Sequence, residues 1–162
     1  GGGGPCSLVG YSLGARVALH AAHEHPDAFP SAVIVSGSPG LADPSLRAER
    51  AARDDALAAS LRAGGAEAFV RAWYEQPLFA PLSRHARFHE VAGRRSGGRA
   101  GPLADCLSAM SSGRQPSEWE RLPAGTSRLL FVAGSLDLKF AASARAMEAA
   151  ALSPGGGEEG RG

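Results

Sequence analysis

The sequence predicts an α/β fold with a parallel sheet, and two runs near its start lead to that prediction. Residues 6–9 form a short apolar run typical of a strand, and residues 32–35 form a second, β-branched run. Between them, residues 13–25 have the apolar spacing of a buried helix that ends at Pro26. A strand, a helix and a strand in this order form a βαβ unit, whose two strands run parallel.

A helical segment follows this unit. Residues 45–121 contain helical patterns and no convincing strand, so we interpret them as an insertion into the sheet. The helices predicted there are 45–62, 66–74, 82–92, 102–111 and 116–122. A Gly- and Arg-rich break at 94–101 is either a flexible loop or an anion-binding loop.

Strand character returns at residues 128–133, and one more helix is predicted over 141–151. The predicted organisation is therefore a partial α/β core at 1–44 and 123–152, with a helical lid at 45–122. The Gly- and Glu-rich residues 153–162 are expected to form a disordered tail.

Composition argues against several classes of partner. A net charge of +1 gives no reason to expect nucleic acid or an anionic membrane surface. No run of about 18 apolar residues is present, so we expect no membrane span. Two cysteines, Cys6 and Cys106, are too few for a disulfide framework, and both are expected to be reduced core residues.

Gly10-Tyr11-Ser12-Leu13-Gly14 lies where the first predicted strand meets the helix and has the Gly-x-Ser-x-Gly pattern of a nucleophile elbow. In such a turn the serine backbone is strained, and the two glycines let neighbouring elements approach closely. The helix also directs its N-terminal amides to this place, which favours developing negative charge. Ser12 is therefore the candidate catalytic residue, and a plain turn is the alternative.

Asp137 is the candidate catalytic acid because it lies just after the last predicted strand. In α/β-hydrolase folds the catalytic residues follow the order serine, acid, histidine, with the acid on the turn after a late strand. The chain has five histidines, and all of them precede Asp137: His20, His23, His25, His85 and His89. We take the first three as helix-end residues rather than metal ligands. The histidine loop and the early strands of the fold are thus expected to be missing, with the chain truncated at both ends.

Stretches spread over residues 6–150 together resemble one enzyme family. They are Gly10-Tyr11-Ser12-Leu13-Gly14-Ala15-Arg16; Ser36-Gly37-Ser38-Pro39-Gly40-Leu41 with Arg47, Arg50 and Asp54; Trp73-Tyr74 with Gln76-Pro77-Leu78-Phe79; Leu103-Ala104 with Leu107, Met110, Gly113, Gln115-Pro116-Ser117, Trp119 and Leu122; and Gly134, Asp137 and Lys139-Phe140. These motifs resemble those of the 2-succinyl-6-hydroxy-2,4-cyclohexadiene-1-carboxylate synthases of menaquinone and phylloquinone biosynthesis. It is most similar to the C-terminal module of a multifunctional phylloquinone protein of plants and algae.

The resemblance implies a lyase rather than a hydrolase. Pyruvate would be eliminated from 2-succinyl-5-enolpyruvyl-6-hydroxy-3-cyclohexene-1-carboxylate, with Ser12 as the base and Asp137 orienting a histidine. The implied substrate-binding residues are Tyr11, Arg16, Arg50, Trp73 and either Arg94 or Arg95. A shift of one residue in the match to the family leaves the choice between the last two open. Neither a metal nor a cofactor is implied.

The implied substrate is a small molecule with several carboxylates, which arginines bind well because a guanidinium pairs with a carboxylate through two hydrogen bonds. For any one of these arginines, a solvated surface role is the alternative, as helix packing is for Trp73. The resemblance also implies a plastid location for a plant or algal source, a cytoplasmic one otherwise, and allows for fusion to other enzymes of the pathway.

Two other functions remain open from the sequence. The same elbow occurs in serine esterases of the α/β-hydrolase type. Because no histidine follows Asp137, the chain could also be a non-catalytic, carboxylate-binding pseudoenzyme.

Overall fold

The computed structural model describes residues 4–153, which divide into two compact units. One unit, here called the sheet unit, consists of residues 4–42 and 116–153. The other, the helical unit, is Asp43–Gln115. The tail expected to be disordered lies, from residue 154 onward, outside the described residues. Among the described helices, none combines the length and apolar character that crossing a membrane requires.

The sheet unit contains three parallel strands in the order β1 (Ser7–Tyr11), β2 (Ser31–Val35) and β3 (Arg128–Val132). Helix α1 (Leu13–Glu24) connects β1 to β2. The predicted βαβ unit is therefore confirmed, as is the return of a strand after the helical segment. Because all three strands are parallel and in register, their carboxyl ends meet at one edge, the usual ligand-binding edge of an open α/β sheet.

One face of this sheet carries the core. Ile34 of the middle strand is 1% exposed and packs with α1 and with α6 (Leu138–Leu152). Residues that point to this face are small or apolar, so the helices approach closely. The buried cluster consists of Ala15, Ala18, Leu19, Ala22, Ala32, Ile34, Leu122 and Met147.

The opposite face of the sheet is apolar and exposed. Val9 and Leu130 are 75% and 58% exposed, and both pair in register with Val33. Tyr11 and Val132, two residues further along their strands, are exposed as well. These exposures show that residues 4–153 leave this face of the sheet uncovered, although parallel sheets are normally covered on both faces.

The helical unit begins at α2 (Pro44–Tyr74), whose N-cap is Asp43. The Asp43 carboxylate accepts hydrogen bonds from the Ser45 hydroxyl and amide, and these bonds lower the pKa of Asp43. Gly65 has φ of 79° inside α2 and produces a kink. The two helices expected at 45–62 and 66–74 are therefore both present, as two segments of α2 that meet at this non-helical glycine.

Three further helices complete the helical unit: α3 (Ala80–Ser83), α4 (Phe88–Ser96) and α5 (Ala100–Ala109). The single helix predicted over 82–92 is wrong. The Arg87 amide donates to the His85 imidazole, which stabilises a turn in place of a continuous helix.

Other details also differ from expectation. The Gly- and Arg-rich break is shorter than predicted, because α4 extends to Ser96. The predicted helix over 116–122 is only a short 3-10 turn at Trp119–Arg121. Cys6 and Cys106 are free and exposed, so their assignment to the core is wrong.

Candidate active site

Ser12 occupies the turn between β1 and α1 with φ of 53°, a left-handed conformation that costs a non-glycine residue about 1–3 kcal/mol. The neighbouring strand holds it, since the Ser12 amide donates to the Val35 carbonyl at 2.9 Å. The Ser12 carbonyl accepts from the Arg16 amide at 3.3 Å and so begins the helix. The strained turn expected of an elbow is present, and Ser12 is exposed.

The two glycines of the motif are not equivalent. A Cβ at Gly10 would lie 2.3 Å from the Gly14 carbonyl oxygen, so no side chain fits there. A Cβ at Gly14 would meet no other element within 4 Å among the described residues. The expectation that both glycines permit close approach is therefore right for Gly10 and wrong for Gly14, because the contact is made by the backbone of Gly14 and not at its Cα.

Ser36, which follows β2 in the stretch that carries part of the family resemblance, is a second strained position, and its strain was not predicted. It has φ of 48°, and its amide donates to the Val132 carbonyl at 2.8 Å. A Cβ at the next residue, Gly37, would lie 2.8 Å from the Ala15 Cβ. The loop after β2 therefore packs directly against the first turn of α1. In the sequence, only the Ser-Gly pair after a β-branched run indicates a tight turn at this place.

Asp137 follows β3 and is half-buried. Its carboxylate caps α6 by accepting a hydrogen bond from the Phe140 amide at 3.1 Å, and its own amide donates to the Gly134 carbonyl. Since β1 and β3 both run parallel to β2, Asp137 and Ser12 each follow the carboxyl end of a strand. The structure thus puts the predicted acid on the same edge of the sheet as the serine.

Tyr11 and Arg16 flank Ser12 in the sheet unit. Tyr11 is the last residue of β1 and is 69% exposed on the uncovered face. Arg16 lies one helical turn after Ser12 and is half-buried, and its role beside the serine stays a prediction.

Arg50 lies on α2 in the helical unit and is held by a buried carboxylate. Its Nε donates to both oxygens of Asp54, at 2.9 and 3.0 Å, and Asp54 is 2% exposed. The Ser111 hydroxyl donates to the same carboxylate at 2.7 Å. Asp54 therefore orients Arg50, a role visible in the sequence only as an i, i+4 spacing, whereas the Ser111 contact has no local signal.

Trp73 contacts other aromatic rings of the helical unit. It stacks on Phe69 at 5.7 Å and lies 6.0 Å from Phe79, which is the helix packing weighed as the alternative for this residue. The neighbouring Tyr74 is buried, and its hydroxyl has no hydrogen-bond partner among the described residues. Tyr74 lines a cavity of about 490 Å³ that lies wholly within the helical unit.

Arg94 and Arg95 differ in their contacts although both are exposed. The Arg94 Nε donates to the Glu90 carbonyl of the same helix at 3.2 Å. The Arg95 guanidinium lies 5.8 Å from the centre of the Tyr74 ring. The two candidates therefore have distinct surroundings, Arg95 beside an aromatic ring and Arg94 along its own helix.

His20 and His23 were expected to be simple helix-end residues, but both make a specific contact. The Nδ1 atoms of both imidazoles contact the buried carboxylate of Glu118, at 2.6 and 2.8 Å. No local pattern indicates this contact, because Glu118 lies more than 90 residues away from either histidine.

The chain is similar to known proteins over most of its length. The family described as "Alpha/beta hydrolase family" matches residues 1–159. The solved structure titled "Structure of MenH from S. aureus" superposes with a TM-score of 0.86 and 30% identity, covering 93% of this chain and 57% of that one.

Named relatives agree with this match. Protein PHYLLO, chloroplastic, of Arabidopsis thaliana is 41% identical over 85% of this chain and 8% of that protein. The putative 2-succinyl-6-hydroxy-2,4-cyclohexadiene-1-carboxylate synthase of Bacillus subtilis (strain 168) is 38% identical over 83% of this chain and 50% of that protein. The Escherichia coli O1:K1 / APEC protein of that name is 38% identical over 88% and 56%.

These comparisons confirm the predicted α/β-hydrolase fold and the predicted resemblance to this group of synthases. The chain spans about half the length of the curated synthases that it matches.

Paired glycine substitutions test the geometry of the elbow. Gly10→Ala should lower the free energy of unfolding by about 1–3 kcal/mol or more, because its methyl group would overlap the Gly14 carbonyl. Gly14→Ala, the matched control, should be neutral or stabilise the helix by up to about 1 kcal/mol. Urea unfolding followed by circular dichroism measures both, and equal losses for the two variants would contradict this geometry.

Proposed function

We propose that this chain, which belongs to the alpha/beta hydrolase family, forms part of a lyase that eliminates pyruvate from 2-succinyl-5-enolpyruvyl-6-hydroxy-3-cyclohexene-1-carboxylate. The product would be 2-succinyl-6-hydroxy-2,4-cyclohexadiene-1-carboxylate, in menaquinone or phylloquinone biosynthesis. The observation on which the proposal depends is the strained, exposed Ser12 elbow in a chain 38% identical to proteins named for that product.

In this proposal Ser12 acts as a base and not as an acylated nucleophile. Its alkoxide removes the proton at ring carbon C2, and the electron pair left behind forms the C2=C3 double bond. The existing C3=C4 double bond moves to C4=C5, and the C5–O bond to the enolpyruvyl group breaks. Enolpyruvate leaves and takes up a proton at its methylene carbon to become pyruvate. The N-terminal amides of α1 favour the alkoxide electrostatically, because Ser12 stands at the positive end of that helix.

A histidine must accept the Ser12 proton, and Asp137 would orient that histidine. All five histidines of this chain precede Asp137, against the usual order of the fold. We assign the role to the part of the relatives' length that this chain does not span.

The arginines would bind the carboxylates of the substrate. Arg16 is one turn from Ser12, and the buried Asp54 carboxylate orients Arg50 through its Nε. Arg94 or Arg95 would supply a third cation. The aromatic residues Tyr11 and Trp73 would pack against the cyclohexene ring.

The proposed location and fusion state are based on the relatives as well. One relative is named as chloroplastic, so we propose a plastid location if the source is a plant or an alga, and a cytoplasmic one otherwise. That relative is also much longer than this chain, which supports a fusion with other enzymes of the pathway.

Two other candidate functions have specific observations in their favour. The family match and the elbow would equally suit a serine esterase. The position of all histidines before Asp137 would suit a carboxylate-binding protein without activity. Hydrolysis of a nitrophenyl ester without pyruvate release would identify the first, and product binding without turnover would identify the second.

The direct test is pyruvate release by the full-length protein encoded by the same gene, followed with lactate dehydrogenase and NADH. Ser12→Ala should lower kcat by about 10³-fold or more, because no other group would replace the base. Ser135→Ala, a substitution at an exposed serine, is the control and should retain the wild-type rate. Wild-type turnover in Ser12→Ala would contradict the assignment of Ser12 as the base.

A second test concerns Arg50 and the residue that orients it. Arg50→Ala should raise KM about 10- to 100-fold with little change in kcat, the size of one lost charge-assisted contact to a carboxylate. Asp54→Asn should raise KM less, by about 3- to 10-fold, because Arg50 remains but is held less firmly. Arg53→Ala, an exposed arginine on the same helix, serves as the control. An unchanged KM in Arg50→Ala would remove this residue from the substrate-binding set.

A further inference from the structure

Glu118 is fully buried in the sheet unit, with 0% of its surface exposed. Its two carboxylate oxygens contact two imidazoles of α1, Oε1 the Nδ1 of His20 at 2.6 Å and Oε2 the Nδ1 of His23 at 2.8 Å. Arg121 Nη1 lies 3.5 Å from Oε2. These four residues, Glu118, His20, His23 and Arg121, are called the Glu118 cluster below.

The contacts determine which nitrogen of each histidine carries a proton. A carboxylate accepts hydrogen bonds, so both imidazoles donate through Nδ1–H. The His23 side chain is 2% exposed, and its Nε2 is buried without a hydrogen-bond partner among the described residues. A proton on that Nε2 would create a buried, unpaired donor, so the geometry favours the Nδ1–H tautomer of His23. The His20 side chain is 43% exposed and is not restricted in this way.

One cation, Arg121, is shared between two carboxylates at the edge of the cluster. Arg121 Nη1 contacts Glu118 and also donates to Glu24 Oε1 at 2.5 Å. That hydrogen bond, together with the positive charge of Arg121, lowers the pKa of Glu24. Positive charge on His20 or His25 would act on the pKa of Glu24 in the same direction.

The backbone of the same segment binds the loop after β2. The Glu118 amide donates to the Pro39 carbonyl at 2.7 Å, and the Trp119 indole donates to the Gly40 carbonyl at 3.2 Å. Glu118 therefore contacts α1 through its side chain and the loop after β2 through its main chain.

These two elements flank Ser12. Helix α1 starts directly after Ser12, and the loop after β2 starts at Ser36, next to the Val35 carbonyl that accepts the Ser12 amide. Gly37 of the loop packs against Ala15 of the helix. Glu118 therefore contacts two elements that both lie against the Ser12 turn.

We propose that Glu118 is a positioning residue, which holds α1 against the loop after β2 and so keeps the strained Ser12 turn in its active conformation. Burial of a carboxylate is costly, and an apolar residue of similar size often gives a protein of equal or greater stability. A role in orienting two elements accounts for the charge at this place. The kinetic part of this inference rests on the proposed function, and the structural part does not.

The substitution Glu118→Gln tests this role while keeping the size of the side chain. Glutamine has one acceptor oxygen, so only one imidazole can still donate through Nδ1–H, and the other must accept from the amide group. His20 should be the one that changes to the Nε2–H form, since His23 would bury an unpaired donor. The imidazole ¹⁵N chemical shifts of the full-length protein at pH 7.5 report both forms. Glu120→Gln, at an exposed residue two positions along the chain, is the matched control.

Hydrogen exchange then separates positioning from a general loss of stability. In Glu118→Gln, exchange of the Ser12 and Arg16 amides should become about tenfold faster. The Arg128 amide, which donates to Pro30 at the other end of the sheet, should be unchanged. For pyruvate release, kcat should fall about tenfold with KM within twofold of the wild-type value, and Glu120→Gln should change none of these quantities.

Three results would overturn the inference. The first is an Nε2–H form of His23 in the wild-type protein. The second is unchanged exchange of the Ser12 amide in Glu118→Gln, and the third is equal acceleration at Ser12 and Arg128, which indicates a purely structural role. If exchange changes as expected but the wild-type protein releases no pyruvate, the proposed function is wrong and the positioning of Ser12 by Glu118 stands.

Discussion

The structure around the candidate site depends on one close backbone approach, that of Gly10 to the carbonyl of Gly14. This approach lets the chain turn from β1 into α1 within one residue, and Ser12 takes the left-handed conformation that results. The Ser12 amide, which has no acceptor within the helix that it begins, donates to Val35 of β2. The strain at Ser12 is therefore offset by contacts from the neighbouring strand, and the serine stays exposed at the carboxyl edge of the sheet.

Two buried carboxylates organise the two units in the same way. Glu118 accepts from two imidazoles in the sheet unit, and Asp54 accepts from Arg50 and Ser111 in the helical unit. Each joins elements that are distant in sequence. Each also restricts the side-chain conformations of the residues that it binds, because an unpaired buried carboxylate is costly. In the proposed function, Ser12 and Arg50 would thus be oriented by residues that do not themselves touch the substrate.

Much of this could be read from the sequence, because it depends on local patterns. The βαβ unit followed from the apolar periods of residues 6–35, and the Ser12 elbow from its glycines. Asp137 followed from its place after the last strand. Contacts between distant residues had no such pattern: the Glu118 carboxylate and its two histidines are nearly 100 residues apart, and the Ser111 hydroxyl on Asp54 is 57 residues away. The turn at His85 was missed for a different reason, since an imidazole that accepts a backbone amide competes with a helix that composition favours.

The measurement that most directly tests the central claim is a crystal structure of the full-length protein with the cyclohexadiene product bound. The account predicts that the Ser12 hydroxyl lies within about 3 Å of both the product and a histidine from outside this chain, a normal hydrogen-bond distance. It also predicts that the Arg16 guanidinium contacts a carboxylate of the product. A product bound away from Ser12, or a Ser12 hydroxyl without a histidine beside it, would contradict the account.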